Sequence, residues 1–223
     1  MSDLTASDFL AIDLEDSPEG ALPKERVQRI LEAARKLFTH YGFEKTTMDD
    51  IAREVGVSKG TLYLDFQSKE HVLQAMLDAH LARTFVWMKT QVQAAQPPYL
   101  QAIETIYVEH ILRVFGDARQ MFHSPELMLM AREQMKETLV RYLKKKDEFF
   151  GNLLQKAAEN QEIMPQRHYA ESFRTISLAL ASFFPPYHPS INLLTGSEDG
   201  IKRDATRVIR LILAGLKESD PCI

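Results

Sequence analysis

The stretch EVGVSKGTLYLDFQSKE, from Glu54 to Glu70, decides the prediction of the fold. Gly56 permits the left-handed backbone of a tight turn, and Ser58 is a preferred cap for a helix that ends near Leu64. This helix is short and carries fewer apolar residues than a core helix needs. Two short helices joined by a glycine turn form the helix-turn-helix pattern, in which the second helix is inserted into a partner.

The segments before this turn carry their own helix signals. Thr47 can cap a helix, and Asp50 occupies the position at which an acidic side chain returns a hydrogen bond to the cap. Further upstream, Pro23–Tyr41 has apolar side chains at a period near 3.6, and Gly42 suits the position after the last turn. The sequence therefore predicts a small N-terminal domain of three helices.

The remainder of the chain also has helical periodicity, without the alternation that is typical of a β-strand. A long helix is predicted over Ser68–Ala95, and the prolines that follow it prevent its continuation. Further helices are predicted at Tyr99–Phe115, Pro125–Met135, Lys136–Glu162, Gln166–Phe184 and Glu198–Leu216. The predicted fold class is all-α, with a helix-turn-helix domain at residues 22–70 and a larger helical domain at residues 71–223.

Charge is distributed unevenly along the chain of 223 residues, whose formal net charge is −4. Residues 1–21 contain six Asp and Glu and no Lys or Arg, so we expect a disordered acidic tail there. A single cysteine, Cys222, excludes a disulfide framework, and the histidines show no metal-binding spacing. A cytoplasmic protein without a cofactor, a metal or a membrane span is expected, since neither a signal peptide nor a long apolar run is present.

The first residues of the short helix have side chains that suit the major groove of DNA, which admits one α-helix. Lys59 can donate to guanine O6 and N7, Gly60 allows a close approach, and Thr61 offers a hydroxyl and a methyl group. Candidate phosphate contacts are Thr47, Tyr63 and Lys69.

The same spacing also fits an ordinary helical bundle. In that interpretation Thr47 and Ser58 are only caps, Tyr63 is a core aromatic residue and Lys69 is an exposed lysine. Spacing alone leaves both interpretations open.

Residues 26–73 resemble the DNA-binding domain of the tetracycline-repressor (TetR) family. The resemblance rests on AARKLF, the glycine after the first helix, TTMDDIA, GVSKGTLY and F-x-S-K-E, in matching order and spacing. It implies a homodimeric, ligand-responsive transcription regulator, usually a repressor, that binds a palindromic operator in double-stranded DNA. It also implies that the larger domain binds a small effector and forms the dimer.

Transferred to this chain, the resemblance implies a DNA-binding set composed of Thr47, Ser58, Lys59, Gly60, Thr61, Tyr63 and Lys69. Two features depart from the family pattern. Leu64 and Asp65 stand where a second aromatic residue and a histidine are common, and we expect Asp65 to turn away from phosphate or to act as a cap. The N-terminal tail is acidic where some members have a basic arm, so we expect it to stay off the DNA or to reach another part of the protein.

The middle helices are rich in Met and aromatic residues, which suit a pocket for a hydrophobic or aromatic effector. The same residues at helical spacing also fit a plain core. The candidate effector contacts are Trp87, Met88, Tyr107, His110, Met128, Arg132 and Phe149. The run KKKDE, Lys144 to Glu148, is interpreted as a solvated helix face.

Apolar stripes on the last two predicted helices fit either an internal core face or a dimer interface. The layout of the TetR family favours the interface. The candidate contact residues are Phe173, Ile176, Leu180, Phe184, Ala205, Val208, Ile209, Ile212 and Leu213.

One other function stays open at this point, and a second is disfavoured. A TetR-like protein that has lost DNA binding and acts through protein contacts is the alternative, and Asp65 gives it some support. An enzyme is not predicted, because no nucleophile–base pair, phosphate loop or metal motif is visible in the sequence.

Overall fold

The computed structural model of the chain describes residues 25–121, 136–184 and 197–217. Within these ranges it contains eight α-helices, one short 3₁₀ helix (Ala181–Phe183) and no strand, which confirms the predicted all-α class. The α-helices are α1 (Glu25–Tyr41), α2 (Met48–Val55), α3 (Lys59–Asp65), α4 (Lys69–Ala94), α5 (Tyr99–Met121), α6 (Lys136–Glu159), α7 (Tyr169–Ala179) and α8 (Glu198–Gly215).

Most predicted helices begin and end within a few residues of the observed ones. Two predicted ends differ by more. Helix α5 continues to Met121, six residues beyond the predicted Phe115, and α7 ends at Ala179, five residues before the predicted Phe184, where only the 3₁₀ turn follows. Phe184 is extended, with φ −104° and ψ 144°, which is typical of a residue that precedes proline. The predicted helix Pro125–Met135 lies outside the described residues.

The chain divides into two compact units, and the first boundary falls at Arg83 within α4. The first unit also contains residues 118–142, and the second contains residues 84–117 and 143–223. The functional division at residues 70 and 71 stays a prediction.

The core of the first unit holds the three short N-terminal helices together. Each helix contributes a large aliphatic side chain that is completely buried, namely Ile30 in α1, Ile51 in α2 and Leu62 in α3. Burial of each such side chain contributes roughly 1.5–3 kcal/mol. Phe66, directly after α3, is also completely buried, so both ends of the helix-turn-helix are anchored.

The first unit also buries a carboxylate on α4. Asp78 is only 1% exposed, and the Gln74 side-chain amide donates to both of its oxygens at 3.1 Å. Burial raises the pKa of Asp78, while hydrogen bonds from Gln74 and Thr138 and the charge of Arg141 act in the opposite direction.

The core of the second unit is built around Tyr107, which is completely buried. Its ring centroid lies 5.3 Å from those of Phe150 and Phe173, and these two rings stack at 4.4 Å. Close contact between α6 and α7 depends on Gly151, because a Cβ there would lie 2.7 Å from the backbone of Ala170.

The run KKKDE is not a uniformly solvated face, which corrects the prediction from sequence. Lys146 is only 2% exposed, and its ammonium donates to the Tyr107 hydroxyl at 3.2 Å. The Tyr107 hydroxyl donates to Ser177 at 3.2 Å, and the Ser177 hydroxyl donates to Asp147 at 2.9 Å. The Lys146 and Asp147 charges lie 3.7 Å apart, so one lysine of the run completes a buried polar network.

Helical periodicity explains why Lys146 turns inward. It lies four residues before Phe150, so the two side chains share the buried face of α6. Lys144 is rotated away from this face and is exposed. Burial raises the pKa of Asp147, and the neighbouring Lys146 opposes that rise.

Substitution of Lys146 by Met should destabilise the protein, because it leaves the Tyr107 hydroxyl without its donor and Asp147 without its cation. We expect a loss of about 3 kcal/mol in the free energy of unfolding, as is typical for breaking a buried pair. Lys144→Met is the matched control in the same run and should change stability by less than about 0.5 kcal/mol. Urea denaturation at pH 7 measures both, and equal effects would contradict the burial of Lys146.

Asp78 should make stability depend on pH. Since its folded-state pKa is raised, its contribution to stability is fully present below the unfolded pKa and is lost as pH rises through the folded pKa. The wild type should therefore gain stability relative to Asp78→Asn as pH falls from 7 towards 4. Urea denaturation of both proteins across this range tests the sign, and a constant difference would contradict it.

Candidate nucleic-acid interface

Helix α2 begins with a complete capping box. The Thr47 hydroxyl accepts from the Asp50 backbone N–H at 3.2 Å, and the Asp50 carboxylate accepts from the Thr47 N–H at 3.0 Å. The hydrogen bonds that the Asp50 carboxylate accepts from the Thr47 hydroxyl and from the Thr47 N–H, together with Arg53, hold the pKa of Asp50 below its usual range. The Thr47 hydroxyl also donates to Asp50 at 2.6 Å, so a contact with phosphate would require it to turn away from this partner.

The turn between α2 and α3 depends on the left-handed conformation of Gly56, whose φ is +77°. Its N–H and that of Val57 both donate to the Ala52 carbonyl at 3.0 Å, which closes the end of α2. Arg29 adds a side-chain hydrogen bond of 2.8 Å to the Val55 carbonyl. Open space surrounds the position of a Cβ at Gly56, so backbone conformation, and not crowding, requires glycine here.

Ser58 caps α3, as the sequence predicts. Its hydroxyl accepts from the Thr61 N–H at 3.1 Å and pairs with the Thr61 hydroxyl at 2.8 Å. Ser58 and Thr61 therefore organise the first turn, and the Thr61 hydroxyl already has a partner within the chain.

Helix α3 packs into the core of the first unit through a single residue. Leu62 is its completely buried residue, and at 100° per residue Gly60 and Leu64 project from the opposite side. Both are exposed, and so are Lys59 and Tyr63 on one flank. Thus the candidate reading residues Lys59 and Gly60 are accessible to a partner.

Lys59 forms an ion pair with Asp49 of α2, and the distance from Nζ to Oδ1 is 2.7 Å. Both side chains are more than half exposed, and the hydrogen bond with Asp49 raises the pKa of Lys59. The ammonium also lies 5.9 Å from the centre of the Tyr63 ring. Exposed pairs of this kind are weak, so Lys59 can exchange Asp49 for a base or a phosphate.

Lys69 has a structural role that the sequence did not indicate. Its ammonium donates to the carbonyls of Phe43 and Glu44 at 3.0 and 3.3 Å and lies 4.5 Å from the centre of the Phe43 ring. It thereby ties the start of α4 to the turn after α1. A phosphate contact by Lys69 stays a prediction, and it would have to share the ammonium with these carbonyls.

Asp65 is turned away from the outer side of α3, as expected. Its two oxygens accept from Arg26 of α1 at 2.7 and 2.8 Å, and its side chain is only 12% exposed. A bidentate pair fixes both side chains in one geometry. The partners are 39 residues apart, which is why the sequence could not identify the pair.

The described candidates for effector contact lie in the second unit. Tyr107 and His110 are buried, and their ring centroids lie 5.8 Å apart. Met88 is completely buried, and Phe149 is half-buried. Trp87 is also half-buried, and the centre of its ring lies 4.3 Å from the Arg113 guanidinium carbon. Met128 and Arg132 lie outside the described residues.

Sequence reasoning missed the polar residues beside Tyr107, namely Lys146, Asp147 and Ser177. The four-residue spacing from Lys146 to Phe150 is the signal that could have placed Lys146 inside. A separate open cleft of about 890 Å³ lies between the start of α5, the turn after α6 and the end of α8. The ion pair between Glu104 and Arg210 lines it.

Most of the candidate dimer contacts are buried within the chain itself. A side chain that is buried in its own core has no surface left for a partner, so these residues belong to the core: Phe173, Ile176, Leu180, Ala205, Ile209 and Leu213. Phe184, Val208 and Ile212 are half-buried. On the same two helices, Leu178 is 66% and Leu211 is 75% exposed, so these two can contact a partner.

Among the residues that the structure describes, no three His, Cys, Asp or Glu side chains are grouped so that they could hold a metal ion. In the same part of the chain, no helix combines the length and the apolar character that crossing a membrane requires.

Comparison with known proteins finds a family match in the N-terminal part of the chain. Residues 30–76 match the family described as "Bacterial regulatory proteins, tetR family". The regulator YuxN of Bacillus subtilis is 36% identical over 92 residues, which are 40% of this chain and 31% of YuxN. The first five curated relatives are matched over 26% to 69% of their length.

Similar folds extend over most of the chain. A TetR/AcrR regulator from Thermobifida fusca has a TM-score of 0.63 and 24% identity, with 87% of this chain and 100% of that one covered. A SmeT–triclosan complex has a TM-score of 0.64 and 15% identity, with coverage of 90% and 95%. The matched residues contain the capped helix-turn-helix described above, so this part of the chain is similar to the DNA-binding region of TetR-family regulators.

Proposed function

We propose that the protein is a dimeric, ligand-responsive transcriptional repressor, released from a palindromic DNA operator by a small, largely apolar effector. The observation that carries the DNA-binding part is the exposure of α3. This helix is capped at its start and held by Leu62, and it leaves Lys59, Gly60, Tyr63 and Leu64 open to a partner. A short, rigid helix with one free face is what insertion into the major groove requires.

Phosphate contacts would position α3 in the groove. The Tyr63 hydroxyl can donate to a phosphate oxygen from the exposed flank of the helix. The start of α2 offers Thr47 and the positive end of the helix dipole. Because Arg26 neutralises Asp65 and holds it aside, this carboxylate does not oppose the approach of a phosphate.

The proposed effector site lies around Tyr107 in the second unit. Aromatic rings from several helices meet there, which suits a flat or apolar ligand. The polar network of Lys146, Asp147 and Ser177 could orient a polar group on such a molecule. The structurally similar SmeT complex contains triclosan, a small molecule, which supports an effector of this class.

A homodimer would explain how one short helix achieves specificity. A two-fold axis presents two copies of α3 to two half-sites, so the operator mirrors the symmetry of the protein. Exposed Leu178 and Leu211 are candidates for the contact. An effector that binds the DNA-free subunit arrangement more tightly than the DNA-bound one shifts the population towards release from DNA. The free energy of this shift cannot exceed the difference between the two binding free energies.

The direct test is binding of purified protein to DNA from immediately upstream of its own gene and to a scrambled duplex, at several salt concentrations. Preferential binding that weakens steeply with salt supports the proposal, because phosphate contacts release counterions. Absence of binding to any duplex, including a random pool, would instead favour the alternative of a TetR-like protein that acts through protein contacts.

Lys59→Ala should weaken DNA binding and relax its sequence preference at one position. Loss of a base contact by lysine corresponds to about a tenfold or greater fall in affinity. Lys202→Ala, an exposed lysine on α8, is the control and should leave affinity unchanged. Fluorescence anisotropy on the best duplex and its single-base variants measures both effects. Unaltered preference with Lys59→Ala would exclude base reading by this residue.

Gly60→Ala should increase the stability of the protein and lower its affinity for DNA. A Cβ at Gly60 would meet only the Ser58 hydroxyl at 3.8 Å, so the fold has room for it, and alanine should stabilise the helix by roughly 0.5–1 kcal/mol. The added methyl would crowd the floor of the groove and lower affinity by roughly tenfold.

Gly116→Ala is the matched control for Gly60→Ala, since it also lies within a helix with open space around its Cβ position. It should stabilise the protein without any change in DNA affinity. Thermal denaturation and anisotropy together test the pair. Equal DNA affinity of Gly60→Ala and wild type would mean that the glycine serves no close approach.

A further inference from the structure

An unexplained apolar side chain occupies the outermost position of α3. Leu64 is 78% exposed, the largest exposed fraction among the large hydrophobic side chains of the described chain. Single exposed leucines are common on protein surfaces, so exposure alone carries little meaning. The position is informative, because Leu64 and Gly60 project from the side opposite the buried Leu62.

The flanks of α3 show what surrounds Leu64. Lys59 and Tyr63 lie on one flank, and both can interact with acceptors on DNA. Thr61 and Asp65 lie on the other flank, where the Thr61 hydroxyl is bound to Ser58 and Asp65 to Arg26. The outermost side of the helix therefore consists of Gly60 and Leu64. Gly60 allows the backbone to approach a partner closely, and Leu64 projects furthest towards that partner.

A leucine side chain can neither donate nor accept a hydrogen bond. In the major groove, the apolar group that distinguishes one base pair from another is the C5-methyl of thymine. A helix inserted with Leu62 towards its own core would direct Leu64 to the base edges. The match between an exposed aliphatic side chain and this methyl group is the basis of the inference.

We propose that Leu64 is a base-reading residue that packs against the C5-methyl of a thymine in each half-site. The proposal rests on the DNA binding proposed above and adds a determinant of specificity. Lys59 and Leu64 are five residues apart, which is about 7.5 Å along a helix. The thymine should therefore lie within about three base pairs of the base that Lys59 reads.

The experiment uses the full-length protein and removes one methyl group from the DNA. Wild type and Leu64→Ala are each used to select binding sites from a random duplex pool. In the best wild-type site, each thymine is then replaced in turn by uracil, which keeps all hydrogen-bonding groups and lacks only the C5-methyl. Val140→Ala, an aliphatic residue on α6 that is 60% exposed, is the control variant.

At one thymine per half-site, uracil should weaken binding of wild type and of Val140→Ala about fourfold, as expected for one buried methyl group. The same change should have no effect on Leu64→Ala, and sites selected by Leu64→Ala should lose the preference for thymine there. Since Leu64 is exposed, the variant should fold, and its thermal midpoint should equal that of wild type.

Two failures can be told apart. If wild type selects a palindromic site but no thymine shows a uracil effect that disappears in Leu64→Ala, the role of Leu64 is wrong and the proposed DNA binding stands. If wild type selects no sequence from the pool, DNA binding itself is contradicted, and the role of Leu64 with it.

Discussion

The burial of Leu62 orients α3, and the rest of the proposed interface depends on that orientation. A helix of this length has little stability of its own, so tertiary contacts and caps must hold it. Ser58 closes its first turn, Phe66 is buried directly after its last turn, and Leu62 fixes its rotation. With the rotation fixed, Gly60 and Leu64 face outward. The helix can be both firmly held and largely exposed.

The charged residues of this protein fall into two groups with different consequences. Lys59 and Asp49 form an exposed pair that either partner can leave at little cost, which suits a surface that must accept a new ligand. Arg26 and Asp65 form a bidentate, partly buried pair that keeps a carboxylate from the outer face. Net charge alone, at −4, would not have suggested a nucleic-acid interface, because the local arrangement decides what a partner meets.

In the second unit, polar groups are placed inside an aromatic core. Lys146 is among the least expected of these, since lysine is rarely buried unless it is paired. Its hydrogen bond to Tyr107 and its proximity to Asp147 provide that pairing. Such a network is sensitive to any change in its members, so an effector at the proposed site beside Tyr107 would act on α5, α6 and α7 together.

Much of the first unit could be read from the sequence, because its signals are local. The Thr47–Asp50 capping box, the Ser58 cap and the turn at Gly56 involve residues within four positions of one another, and the structure contains each of them. The helical class, the position of α3 and the TetR resemblance followed from these signals. Among the predicted reading residues, Lys59 and Gly60 are exposed as that prediction needs.

The sequence by itself determined which segments are helical and where they are capped, since those choices depend on neighbouring residues. Only the tertiary structure decided the partners of Asp65 and Lys69, which are 25 to 39 residues distant. It also decided that Lys146 turns inward and that Phe173 and its apolar neighbours form core. A periodic stripe shows that a face is buried, but what buries it depends on how the distant segments of the chain pack.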